Sequence, residues 1–138
     1  MEEQTVSDLI KAINAKMRTQ ADAEFKKYDL TFSQVQVLCF IKKQGGKTTQ
    51  REIESFLKVS HPTVVGLVTR LEKNEYVSCA RDEKDKRNKR VILTDKAKAI
   101  DKRLVKGKAE ADQRLTESLS EKELAELTWL LKLVDANM

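Results

Sequence analysis

The sequence is poor in the residues that make long loops and many-stranded sheets: 138 residues carry only four glycines and one proline. Two cysteines, Cys39 and Cys79, cannot build a disulfide framework, and they read as reduced thiols of a cytoplasmic protein. A single histidine, His61, leaves little general-base chemistry and too few ligands for a metal site. The glycines at 45, 46, 66 and 107 are scattered, so no glycine-rich phosphate loop is present. No enzymatic activity and no cofactor are therefore expected. No apolar run approaches membrane-spanning length, and the acidic start Met1-Glu2-Glu3-Gln4 is unlike a secretory signal. A cytoplasmic location without a membrane partner is the expectation.

What the chain does have is charge and helix formers. Charged residues make up 36% of it and apolar residues 40%, enough for one core. Abundant Lys, Glu, Ala and Leu favour helices. The net charge of +5 suits a polyanionic partner without specifying one.

From Val6 to Tyr28 the residues Val6, Ile10, Ile13, Met17, Ala21, Phe25 and Tyr28 recur at steps of three or four, one stripe on a helix of about six turns. A stripe that long needs a cover, and a second copy of the chain is a candidate. Thr31 can cap a following helix whose Val35, Val37, Leu38, Cys39, Phe40 and Ile41 are apolar almost all round, and Gly45-Gly46 stops it. Thr49 with Glu52 reads as a capping box opening a short helix with an Ile53, Phe56, Leu57 face. Lys58-Val59-Ser60 breaks the chain. Ser60 with Thr63, and Pro62 in the first turn, then open a helix that buries Val64, Leu67, Val68 and Leu71.

The helical period fails from Tyr76 to Thr94. Residues 76–80 and 90–94 are β-prone and flank the polar run Asp82 to Asn88, which together read as a two-stranded hairpin with a charged tip. A charged helix from Thr94-Asp95 to about Ser118 carries a thin stripe of Ile100, Leu104, Ala109 or Ala111, and Leu115. Ser120 with Glu123 caps a last helix bearing Leu124, Leu127, Leu130, Leu131 and Val134. Trp129 reads as interface packing.

Two short helices about a tight break form a helix-turn-helix, and the charged ribbon that follows makes the order that of a winged helix-turn-helix. With its buried set inward, the second helix of the pair shows His61, Pro62, Thr63, Val65, Gly66, Thr69, Arg70 and Lys73 outward. Hydroxyls of Thr63 and Thr69 can bond phosphates or base edges, Val65 can meet a thymine methyl, and Gly66 lets a backbone come close. Ser60 adds a hydroxyl and free N–H groups at the helix start. Between Arg81 and Arg90 lie six basic and three acidic residues. That tip places Arg87 in a minor groove and Lys84, Lys86, Lys89 or Arg90 on phosphates. Asp85 would be repelled by DNA, and fits if it pairs with a neighbouring Arg and holds the tip in shape.

These stretches resemble the MarR family of bacterial transcription regulators. Leu30-Thr31 with Gln34, Val37 and Leu38 is similar to the start of the family's second helix, and Thr49-Gln50 with Glu52-Ile53 to that of its first helix-turn-helix helix. Ser60 with Thr63-Val64 and Arg70-Leu71-Glu72 resembles the recognition helix. Asp85-x-Arg87 with Leu93-Thr94 resembles the wing signature and is the most specific of the four. The likeness is close over about Leu30 to Lys98.

The resemblance implies a mostly α fold of six helices and a two-stranded wing. Residues 31–95 would form the winged helix-turn-helix DNA-binding domain, and 1–30 with 96–138 the helical dimerisation region. It implies a homodimer that reads a pseudo-palindromic double-stranded DNA operator as a repressor, released by a small lipophilic or phenolic effector. On it, Ser60, His61, Pro62, Thr63, Val65, Gly66, Thr69, Arg70, Lys86, Arg87 and Lys89 contact DNA, and Asp85 supports the wing. Two departures stand out: the first helix has no cysteine, against a peroxide-sensing subgroup, and Asn74-Glu75 stands where the family often has glycine. The competing reading is a helical dimer acting through protein or small-molecule contacts, without DNA recognition.

Overall fold

The computed structural model describes residues 3–138; Met1 and Glu2, the start of the acidic stretch, lie outside the described residues. The elements follow in the order α1 (Val6–Phe25), a 3₁₀ turn (Lys26–Tyr28), α2 (Phe32–Lys43), β1 (Lys47–Thr49), α3 (Gln50–Leu57), α4 (His61–Lys73), β2 (Val77–Arg81), β3 (Lys89–Leu93), α5 (Asp95–Leu115) and α6 (Glu121–Ala136). The chain divides into two compact units, Met1–Val105 and Lys106–Met138.

The first unit is built around α2 and α4. Val35, Val37, Leu38 and Ile41 of α2 are buried with Val64, Leu67, Val68 and Leu71 of α4, Ile53 of α3 and Leu104 of α5. The apolar stripe of α1 divides. Its C-terminal residues Ala21 and Phe25 join this core, whereas Val6, Ile10, Ile13 and Met17 stay exposed, Val6 at 66%. The last turn of the long helix expected to Tyr28 tightens to 3₁₀, and Asp29 follows at φ 57, which turns the chain towards α2.

The wing hairpin forms as the β-prone runs predict, β2 against β3 with Cys79 opposite Val91. A third strand joins it: β1 pairs antiparallel with β3, Thr48 opposite Val91, giving the order β1-β3-β2. Three residues are too few for alternation to announce a strand. β3 is therefore central, and the ribbon is anchored beside α3 at its base.

Capping differs from expectation at one place. Thr49 accepts from the Glu52 N–H at 3.3 Å, but the Glu52 carboxylate does not return the bond to Thr49 and instead accepts from the Thr48 hydroxyl at 2.5 Å. Phe56, expected on the inner face of α3, is 51% exposed and stacks on Phe40 with centroids 4.5 Å apart and planes 10° off parallel. Eight residues turn only about twice, so α3 buries Ile53 fully and Leu57 in part, and Phe56 falls outside that narrow stripe.

Where the resemblance expects glycine after α4, Glu75 takes the left-handed conformation at φ 65. Its N–H bonds the Glu72 carbonyl and the Tyr76 N–H bonds Leu71, so the helix ends as a glycine would end it. The Tyr76 ring, 2% exposed, and its hydroxyl, donating to the Tyr28 carbonyl at 2.5 Å, hold the junction.

In the second unit, Ser120 and Glu123 complete a reciprocal capping box at the start of α6. Every residue of α6 is exposed, including Leu124, Leu127, Leu131 and Val134 on one stripe, and Trp129 at 60%. Among the described residues no helix is long and apolar enough to cross a membrane.

Candidate nucleic-acid interface

The turn between α3 and α4 is fixed by backbone geometry. Lys58 closes α3 in the left-handed region at φ 56, with its N–H on the Glu54 carbonyl at 2.8 Å. Two residues later Ser60 caps α4, accepting from the Thr63 N–H at 3.4 Å, and Pro62 lies in the first turn. The Ser60 and Thr63 hydroxyls are also 2.9 Å apart and bonded to each other. Each retains capacity for a further partner, since a hydroxyl donates once and accepts twice.

With Val64, Leu67, Val68 and Leu71 buried, the rest of α4 is fixed by the helical period. Ser60, His61, Pro62, Thr63, Thr69 and Arg70 are exposed, and Val65 and Gly66 are half-buried. A Cβ on Gly66 would meet nothing within 4 Å, so no packing within the chain requires glycine there. No acidic residue lies between His61 and Leu71. The acidic neighbour is Glu54 of α3, which bonds the His61 ring through Nδ1.

At the wing, Lys84, Lys86, Arg87 and Lys89 are all exposed, while Asp85 is half-buried. The Asp85 carboxylate accepts from the Arg87 N–H at 3.1 Å with one oxygen and pairs with the Arg51 guanidinium at 2.9 Å with the other. Its carbonyl accepts from the Asn88 N–H at 2.9 Å. Asp85 thus bonds the Arg87 backbone at the tip, but the arginine it pairs with is Arg51 of α3 and not a neighbour in the ribbon. Asn88, 8% exposed, accepts from the Arg51 N–H at 3.4 Å, while its carbonyl accepts from Asp82 at 3.0 Å. Arg51 and Asn88 thus tie the ribbon to the helix-turn-helix. The sequence pattern assigns Arg51 no role and leaves Asn88 at the end of a polar run. An asparagine closing a charged turn was the one signal for its inward role.

Cys79 packs in β2 with its thiol hydrogen-bonded to Glu72, and burial with that neighbouring carboxylate pushes its pKa up to about 11. Only the thiolate attacks, and at pH 8 this group is a neutral thiol. Cys79 is expected to alkylate at least about tenfold more slowly in the folded chain than in the denatured one. Peptide mapping after timed iodoacetamide labelling checks this, and equal rates would mean an open thiol. Among the described residues no cluster of three or more His, Cys, Asp or Glu could hold a metal ion.

Comparison with known proteins agrees with this geometry. The sequence model of the MarR family matches residues 28–88. The chain is 39% identical over 92 residues to an uncharacterized HTH-type transcriptional regulator, YwoH, of Bacillus subtilis (strain 168), covering 64% of this chain and 66% of that protein. It is 36% identical over 75 residues to the HTH-type transcriptional regulator SarZ of Staphylococcus aureus, covering 54% of this chain and 50% of SarZ. The chain thus spans 66% and 50% of the length of these two relatives. Among solved structures, that of the S. aureus MepR–DNA complex aligns with a TM-score of 0.89 at 28% identity, over 99% of this chain and 100% of that one. The six α-helices among the described residues, the sheet with its ribbon, the helix-turn-helix and these matches together place the chain in the MarR family.

Proposed function

We propose that the chain is a sequence-specific DNA-binding transcription regulator of the cytoplasm that works as a homodimer. In this reading α4 enters the major groove and the wing lies along the adjacent minor groove. The observation that carries it is the outward face of α4, free of acidic residues from His61 to Arg70, beside a basic ribbon held by Arg51 and Asn88. Ser60, His61, Pro62, Thr63, Val65, Gly66, Thr69 and Arg70 supply the helix contacts, and Lys86, Arg87 and Lys89 those of the wing, with Asp85 as their support. The likeness to MepR, whose structure was solved with DNA, supports it. The homodimer is supported by two bare apolar stripes, Val6 to Met17 on α1 and Leu124 to Val134 on α6, more than a monomer leaves to water without use. Residues 1–30 and 96–138 then serve dimerisation and 31–95 DNA binding. A small lipophilic or phenolic effector would release a repressor of this kind from its operator.

The test is selection of bound sites from random duplexes. Two half-sites about one turn apart, near 34 Å, are expected. Affinity should fall steeply with salt as Lys and Arg displace counterions. No enrichment even at low salt overturns the reading.

Gly66 gives a separable prediction. Gly66→Ala is expected to raise stability by about 0.5–1 kcal/mol, because alanine is the better helix former and has room. The same methyl should weaken binding to the selected duplex if the backbone there approaches DNA. Thermal unfolding and fluorescence anisotropy on one preparation read both effects.

A further inference from the structure

The histidine at the start of α4 has a partner whose chemistry decides what the ring can read. His61 is the first residue of α4 and the only histidine in the chain. Its Nδ1 is bonded to the Glu54 carboxylate, which projects from the last turn of α3. The Glu54 side chain is mostly covered, at 24% exposed, while the His61 side chain is open at 65%. The two belong to different helices of the helix-turn-helix, so the contact is set by the turn at Lys58 and Ser60.

An ionised carboxylate only accepts hydrogen bonds. Bonded to it, Nδ1 must carry the proton. In its neutral form the ring then presents Nε2 as a bare acceptor on the edge away from Glu54. We infer that Glu54 is a positioning residue for base recognition. It fixes His61 in the Nδ1–H tautomer, so that Nε2 accepts from a base offering an amino donor in the major groove, adenine N6 or cytosine N4. Guanine and thymine present acceptors at those places and are refused, because two acceptors face each other. The Glu54 carboxylate keeps its charge, but its side chain is mostly covered and turned to the ring. The inference rests on the DNA-binding reading above and assigns to it one specificity-setting pair.

The experiment uses the full chain and the variants Glu54→Ala and His61→Ala. The lone imidazole makes long-range proton–nitrogen NMR unambiguous. At pH 8 the wild type is expected to show the Nδ1–H tautomer, and Glu54→Ala to shift to Nε2–H. Site selection from random duplexes is run on all three chains. One position in each half-site is expected to favour adenine or cytosine with the wild type and to lose that preference in both variants. All other positions should keep theirs, and affinity for the wild-type motif should fall about three- to tenfold. A wild-type ring in the Nε2–H form overturns the inference, as does a motif unchanged in Glu54→Ala. A wild type that selects no duplex overturns the DNA-binding reading and this inference with it. A normal motif with an unaltered His61 position overturns this inference alone.

Discussion

Replacing Leu71 by alanine is expected to lower the stability of the fold by about 2–5 kcal/mol, seen as a fall of roughly 10 °C in the thermal midpoint. Leu71 is wholly buried in the cluster shared by α2, α3 and α4, and its carbonyl accepts from Tyr76 at 2.9 Å where α4 ends. Truncation leaves a cavity directly behind the proposed DNA-reading helix, in a core with little freedom to collapse. Phe56 is the control. It is a larger residue, but half of it is in water and its stacking partner is the single ring of Phe40. Phe56→Ala should therefore cost no more than about 1.5 kcal/mol. Calorimetry on both variants checks the order. If the Phe56 variant is the less stable one, α4 packs on a different face, and the outward face assigned to Thr63, Gly66 and Thr69 is wrong with it.

That outward face was legible because local signals agreed. Caps at Thr31, Ser60 and Ser120, the i, i+3, i+4, i+7 set in α4 and the β-prone runs about a polar tip each point to one structure, and each is built from residues close in sequence. What was not legible depends on distant partners. β1 is three residues long and exists because β3 returns to pair with it. Glu52 turns from Thr49 to Thr48, and that choice is made by the placement of β1 before α3. Phe56 fits a helical apolar pattern yet lies outside, because periodicity marks a face without saying how wide the covered part is. The charge of Asp85 called for an arginine, but nothing local marked Arg51 of α3 as the one, and nothing local joined Glu54 to His61. Of α1 and α6, the pattern showed the stripes. That most of each stripe is bare in the single chain needed coordinates.

Arg87→Ala is expected to weaken binding to the selected duplex by about 1–3 kcal/mol and to lower the salt dependence by about one counterion per wing. Loss of a positive charge alone predicts some weakening, so Asp85 supplies the sharper test. Asp85→Ala removes a negative charge from the ribbon, and on charge alone it should tighten binding to a polyanion. The structure predicts the reverse. Without that carboxylate the Arg87 N–H loses its acceptor and the Arg51 guanidinium its partner, leaving the tip free to sample other shapes. Arg51→Ala should copy the effect in part, because Asp85 then keeps Arg87 but loses its tie to α3. An ion pair this open to water on its Arg51 side contributes little to folding, so both variants should unfold near the wild-type temperature while binding more weakly. Anisotropy titrations at two salt concentrations separate the cases. An Asp85→Ala chain that binds more tightly reduces Asp85 to a repelled bystander, and the ordered wing ceases to be part of recognition.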